Sequence, residues 1–355
     1  MNHRIYLDHA ATTPLRPEAR AAMEEGARLW ANPSSPHAEG RAARRALEDA
    51  RERVKAALGW QGEVIFTSGA SEALAIGLGR ARAQRRLVSA VEHDAVFRAA
   101  PEAEVLPLVE SGASGFGIDP ALLRSALAEN GRAVVAIQSR NSETGTDLLS
   151  ECGAHVAEAV RNAGGILLAD CSQSAGRAPL PEADMIVVSA HKLGGPVGVG
   201  ALLVRDFGLL EAAGGQERGY RAGTENLAGV LGFAAALNVA EMAHWQTSAE
   251  ERMGFRERLS EGGTVFGPGV QCSHIFAVTA RSLSSAALLM RLDSMGFAVS
   301  AGSACSSGSL KPSRVLSAFE LDGEAARHTI RVSLGWSTTA AELDSFADAW
   351  GSLAR

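Results

Sequence analysis

Between Glu63 and Arg205 short apolar runs alternate with stretches of helical periodicity. The runs Val64–Thr67, Arg86–Ala90, Ala133–Ile137, Ile166–Ala169, Met185–Ser189 and Gly200–Val204 are almost continuously apolar. Strands covered on both faces read this way, whereas half-exposed strands alternate. Val105–Val109 is a further apolar run, interrupted by Pro107. Between these lie an alanine-rich stretch from Gly69 to about Arg82, a short helical segment after Asp94, and a segment from Cys152 to Ala163. Another helix opens at Asp119-Pro120, an N-cap followed by a first-turn proline, and runs to Glu129. This βαβα order predicts an α/β fold with a mostly parallel sheet and helices on both faces. The last two strands are too close in sequence for a helical crossover, so one of them is expected to run antiparallel.

On the N-terminal side, Glu39–Leu58 forms one long amphipathic pattern rich in Ala, Arg and Glu. Thr224 to about Leu259 reads as helical with little strand character. From about Gly263 to Arg355, short strand-like runs (Ser273–Thr279, Phe297–Ser300, Thr329–Leu334) mix with helical ones (Ser285–Met295, Ala340–Leu353). The expected organisation is a large α/β domain over 14–258, with 1–13 and 259–355 forming a small α+β domain. Neither internal repeats nor a low-complexity linker interrupt it.

The chain has 355 residues, enough to bury a large core. Its net charge of −6 opposes nucleic acid as a main partner, because neutralising phosphates needs a basic face. Apolar runs are too short to cross a bilayer, and the first residues, Met1-Asn-His-Arg-Ile-Tyr-Leu7, lack the apolar core of a signal peptide. No membrane partner and a cytoplasmic location are therefore expected. The four cysteines, Cys152, Cys171, Cys272 and Cys305, show no C-x-x-C spacing. They read as thiols in a reducing compartment, forming neither a disulfide framework nor a metal site.

The chemistry concentrates where the apolar runs end, which is where open α/β sheets bind ligands. Ser189-Ala-His-Lys-Leu-Gly-Gly-Pro196 places Lys192 just past one run, and the neighbouring run ends on Asp170. A lysine beside a carboxylate suits pyridoxal phosphate (PLP): the amine forms an imine with the aldehyde and the acid pairs with the pyridinium nitrogen. A lysine after a strand is also what an ordinary solvated loop contains. Thr67-Ser-Gly-Ala-Ser-Glu72 offers backbone N–H groups and the Ser71 hydroxyl to a phosphate, and reads equally as a capping box. His93 follows another run, Asn141-Ser-Glu-Thr-Gly145 another, and Gln173 stands near Asp170. Five strand ends converging on polar groups carry more weight than any one of them. Cys305 lies in Ala301-Gly-Ser-Ala-Cys-Ser-Ser-Gly-Ser309, a run with hardly any apolar anchor. Such a run does not suit a core strand and suits a loop that carries a reactive thiol.

Taken in order, Ile5-Tyr-Leu-Asp-His-Ala-Ala-Thr-Thr-Pro14, Phe66–Glu72, Glu92-His93, Asn141–Gly145, Asp170–Ser174, Ser189–Lys192, Gly215–Gly219 with Arg221–Thr224, Ser303–Ser307 and Ile330–Ser333 resemble the signature segments of cysteine desulfurases. These are class-V aminotransferase-type, fold-type-I PLP enzymes. The resemblance spans nearly the whole chain. It implies that Lys192 carries the cofactor and moves the substrate α-proton, that Asp170 pairs with the ring nitrogen, and that His93 stacks on the ring. Gln173 and Ser142 are implied on the phenolic-oxygen side. Ala70, Ser71, Ser189 and His191 are implied around the phosphate, joined by Thr224 from a neighbouring subunit of a homodimer. Arg331 is implied to hold the carboxylate of L-cysteine, and Cys305 to receive its sulfur as a persulfide for an acceptor protein.

Two positions depart from the family pattern. Ser142 stands where relatives carry a second asparagine, and its shorter side chain is expected to weaken the contact to the phenolic oxygen. His9 replaces a common asparagine. The length from Cys305 to Arg331 resembles the subgroup with an extended cysteine loop, and the end at Arg355 implies a reduced scaffold-docking tail. Other readings of the same pattern are a selenocysteine lyase or another C–S lyase, and a non-catalytic partner protein.

Overall fold

A computed structural model describes residues 4–110, 115–150, 152–301 and 313–354. A seven-stranded sheet dominates. Its strands lie in the order Glu63–Thr67, Gly200–Val204, Met185–Ser189, Ile166–Asp170, Ala133–Gln138, Arg85–Ser89, Glu104–Leu106. Gly200–Val204 is antiparallel to both neighbours, and every other pairing along the row beyond it is parallel. The reversed strand anticipated from the short connection is thus Gly200–Val204. Helices bury both faces: one core gathers Val135, Ala169, Val188 and Phe233, the other Ile65, Val134, Leu168 and Leu202. Adjacent residues of one strand fall in opposite cores, which is why these strands are apolar throughout.

A smaller four-stranded sheet pairs Thr264–Phe266, Ile275–Thr279, Thr329–Ser333 and Ser300–Ala301 in antiparallel fashion. The helices Ala249–Gly262, Ser285–Ser294 and Ala340–Leu353 cover it, and their core includes Phe255, Phe276, Leu292, Phe346 and Trp350. The N-terminus belongs to this end of the molecule: Ile5–Tyr6 runs parallel to Phe297–Ala298, and Leu7 is fully buried in the same core.

Three sequence readings need correction, and one helix was not read at all. The span Thr224–Leu259 is not one helical stretch but two helices, Leu227–Leu237 and Ala249–Gly262, with a single turn at Met242–His244 between them. Ser248 and Glu251 form a reciprocal capping box that starts the second helix afresh. Pro107, which has no N–H, divides the run around it: Glu104–Leu106 joins the main sheet, while Leu108–Glu110 forms a hairpin with Phe116–Ile118. Phe297–Ser300 is likewise shared between two sheets, breaking at Val299. The helix Pro17–Arg28 was missed; it packs along Leu227–Leu237, so close that a Cβ on Gly26 would lie 2.7 Å from the Ala228 Cα.

Candidate active site

The carboxyl ends of five strands open into one cavity of about 660 Å³. Gly200, at the start of the reversed strand, is level with both Thr67 and Ser189, so the reversal gathers these ends around one point. Ala70, Ser71, His93, Ser142, Asp170, Gln173, Ser189, His191, Lys192 and Arg331 all line the cavity. Thr224 does not: it is exposed outside the cavity. Cys305 lies outside the described residues.

Lys192 sits in a single 3₁₀ turn, Ala190–Lys192, directly after Met185–Ser189. Its Nζ donates to the Ala10 carbonyl at 2.6 Å, and the Gln173 Nε2 donates to the same oxygen at 2.9 Å. The N-terminal segment fastens this turn. Thr13 N donates to the His191 carbonyl at 2.8 Å and Thr13 Oγ1 to the Lys192 carbonyl at 3.0 Å. Arg177, half-buried, also donates to the Lys192 carbonyl. The conspicuous Asp8–Thr13 motif therefore acts by bracing the lysine's turn, which its own composition does not disclose.

Asp170 ends Ile166–Asp170, is 7 % exposed, and accepts from Ser172 N at 2.9 Å. Cys171, the next residue, points into the core instead, as strand alternation requires. Burial raises its thiol to about 12, so it stays protonated. Cys272 is also buried and its thiol is raised, and the Cys152 Sγ donates to the Leu148 carbonyl at 3.0 Å.

His93 Nδ1 accepts from Ala95 N at 3.1 Å, capping the helix Asp94–Ala99. The proton of the neutral ring therefore sits on Nε2. Burial, then the Lys192 charge, lowers the His93 pKa and keeps the imidazole neutral. His191 is pushed down to about 4 by the same two causes, and its Nδ1 lies 3.2 Å from Thr12 Oγ1.

The small-residue turn is not a capping box. The helix Ala70–Gly79 begins at Gly69 with no side-chain cap, which leaves its first N–H groups at the cavity. Gly69 has φ 150° and ψ −179°, a region open essentially to glycine alone. A Cβ on Gly200 would come within 2.8 Å of the Gly69 backbone, so the close approach needs glycine at 200, while at 69 it is the backbone angle that does. Ser189 Oγ and Gln173 Oε1 are buried without a hydrogen-bond partner among the described residues. An uncapped helix start, an orphaned hydroxyl and a neutral histidine together suit a bound phosphate ester.

Arg331 reaches the cavity from Thr329–Ser333 of the small sheet. Its Nη2 pairs with Asp8 Oδ1 at 2.8 Å and its Nη1 donates to the Ser142 carbonyl at 3.0 Å. Nε is buried and has no partner among the described residues, a donor edge available to a carboxylate. Sequence reasoning missed Asp8, although it stands inside the N-terminal motif. It also missed Glu92 and Glu143. Burial raises Glu92 to about 8, with Asp170 adding to the rise, while Ser89 Oγ and Gln138 N donate to Oε1. Burial likewise raises Glu143 to about 7, and it accepts from Ser313 Oγ at 2.6 Å. An acid within an apolar run's end was the only signal for Glu92.

The buried Glu92 makes stability depend on pH. The folded chain keeps this proton to about pH 8, the unfolded chain only to the ordinary carboxylate range. Between those limits the native state binds more protons, so this group lowers stability as pH rises. Glu92→Gln keeps an acceptor for Ser89 and Gln138 and removes the titration. The urea midpoint of the variant relative to wild type is expected to rise steadily from pH 5 to pH 8. A difference independent of pH would contradict the protonated state.

A lysine and an acid at adjacent strand ends, under an uncapped helix start, define a fold-type-I PLP-transferase site, and the sequence matches the Aminotransferase class-V family over residues 5–346. The chain belongs to that family. It is 38% identical over 372 residues to a cysteine desulfurase of Cereibacter sphaeroides, covering 96% of this chain and 93% of that one. It is 37% identical over 372 residues to an IscS-like cysteine desulfurase of Mycobacterium tuberculosis, covering the same shares. The structure of a NifS-like protein from Rickettsia africae superposes with a TM-score of 0.85 at 25% identity, covering 99% of each chain. Within class V the chain is a member of the PLP-dependent cysteine desulfurase family.

Proposed function

We propose that this enzyme converts L-cysteine to L-alanine and retains the sulfur as a persulfide on Cys305 for an acceptor protein. The observation that carries the reading is the convergence of Lys192, Asp170, His93 and Arg331, from four strands of two sheets, on one cavity. PLP fits it. When bound, the cofactor withdraws electrons from the substrate α-carbon. Ala70 N–H, Ser71, Ser189 and His191 hold its phosphate, Asp170 holds its ring nitrogen protonated, and Gln173 and Ser142 face its phenolic oxygen. His93 stacks on the ring. Lys192 tethers it and moves the α-proton, and Arg331 orients the substrate carboxylate.

The Cys305 thiolate then takes the substrate sulfur. An S–S bond forms and the Cβ–S bond breaks, leaving its electron pair on the three-carbon fragment, which is protonated and released as alanine. A homodimer completes the site. Thr224 is exposed, and Ser34 Oγ donates to Gln216 Oε1 at 2.9 Å, tying the loop of Trp30 to the segment that leads to Thr224. Trp30, 80 % exposed, supports this reading as an apolar surface that a second subunit would cover, with Thr224 reaching toward the partner's phosphate. The large domain spans 14–258, with 1–13 and 259–355 as the small one, and the helix Ala249–Gly262, which packs on the small sheet, crosses that boundary. A cytoplasmic location remains part of this proposal; among the described residues no helix is long and apolar enough to cross a membrane.

The test is sulfide release from L-cysteine by PLP-loaded protein under reductant, with Cys305→Ala alongside. Release by wild type and none by the variant is the expected result. Release retained by Cys305→Ala would point to a lyase without a persulfide relay, and a protein that rejects PLP would overturn the reading.

A further inference from the structure

Strand Arg85–Ser89 ends before it reaches His93, and beyond the Ala90 N–H, which donates to the Leu106 carbonyl at 2.9 Å, the turn to Asp94 has no strand pairing among the described residues. Two sets of side chains hold it instead. From inside, Gln138 Nε2 and Asn141 Nδ2 donate to the Val91 carbonyl, and Gln138 N donates to the Glu92 carboxyl at 2.7 Å. From outside, one residue far along the chain does the rest. The Arg314 guanidinium donates to the Ala90 carbonyl and, at 2.6 Å, to the Glu92 carbonyl. It also pairs with Asp94 Oδ1 at 3.2 Å, and its Cζ lies 4.0 Å from the centre of the Phe97 ring. These four contacts bracket His93 in sequence. A planar fork with several donors is the side chain suited to bridging successive carbonyls.

Arg314 is itself well anchored. It begins the helix Arg314–Ala318, whose N-cap Ser313 donates to the Glu143 carboxylate. Val315, Leu316 and Phe319 are buried, and the Phe319 ring meets the edge of Phe116 at 5.9 Å. The guanidinium thus transmits the position of a packed helix to the turn that carries His93.

We propose that Arg314 is a positioning residue that fixes the Ala90–Asp94 turn and with it the His93 ring over the cavity. The role rests on the reading above that His93 faces a planar cofactor. Arg314→Met keeps the aliphatic stem over Phe97 and removes the donors; Arg314→Lys restores one charge and part of the hydrogen bonding.

In the cofactor-free chain, hydrogen exchange of the amides in 93–97 is expected to quicken by roughly tenfold in Arg314→Met, as expected for a local opening, while the strand Ala133–Gln138 keeps its protection. In the PLP-loaded enzyme, the visible circular dichroism of the cofactor should change, and kcat should fall roughly tenfold with KM for L-cysteine held within about twofold, since Arg331 is untouched. Arg314→Lys should recover part of each effect. Unchanged exchange in 93–97, or loss of protection throughout the sheet, would overturn the positioning role. So would an unaltered circular dichroism spectrum in a variant that binds PLP. Exchange needs no cofactor, so a wild type that takes up no PLP would sink the functional reading and leave this one to be decided separately.

Discussion

Lys192→Ala is expected to lower desulfurase turnover by at least about 10³-fold, because in the function proposed above one side chain supplies both the covalent tether and the proton transfer. The fold should survive. The Ala10 carbonyl loses the Lys192 Nζ but keeps the Gln173 Nε2, and the turn stays braced by Thr13 and Arg177 through the Lys192 backbone carbonyl. PLP should be lost on dialysis of the variant and retained by wild type, read from the visible absorbance. Turnover within tenfold of wild type would mean that another group performs the chemistry.

Arg331→Ala is expected to raise KM for L-cysteine by about 10²-fold, the scale on which truncating one partner of a buried charge pair acts. PLP retention should stay within about threefold, because Arg331 stands with the small sheet, away from the Ser71, Ser189 and His191 end. Asp8 keeps the Ser300 Oγ donor at 2.8 Å, so the carboxylate left behind is not stranded. Arg331→Lys should fall between, since an ammonium cannot serve Asp8, the Ser142 carbonyl and a substrate carboxylate at once. Equal loss of cysteine and PLP binding would indicate a folding defect instead. These two outcomes together would divide the cavity into a cofactor half, built from the large sheet, and a substrate half, built from the small one.

Much of the site was legible because its residues obey a local rule. Ser71, His93, Asp170, Ser189 and Lys192 each follow an apolar run, and parallel strands bring such positions to one edge whatever their separation in sequence. The alternation of Asp170 into the cavity and Cys171 into the core was likewise local. Asp8, Glu143 and Arg314 obey no such rule, and Glu92, although it follows a run, shows nothing locally of its burial. Their roles depend on partners more than 40 residues away, as in Arg331 with Asp8 and Arg314 with the Glu92 carbonyl. A sequence lists an arginine without showing which carbonyls it will meet.

The sequence by itself determined the α/β class, the reversed strand near the lysine, the run of strand-end polar groups and the family resemblance. Each follows from short-range pattern: residue period, strand spacing and turn chemistry. The tertiary structure alone decided which strand reverses and that Gly69 and Gly200 meet. It also decided that Asp8–Thr13 fastens the Lys192 turn, and that a carboxyl beside Asp170 keeps its proton to about pH 8. Those outcomes come from close packing and exclusion of water at points where distant segments touch, and such contacts leave no periodic trace along the chain.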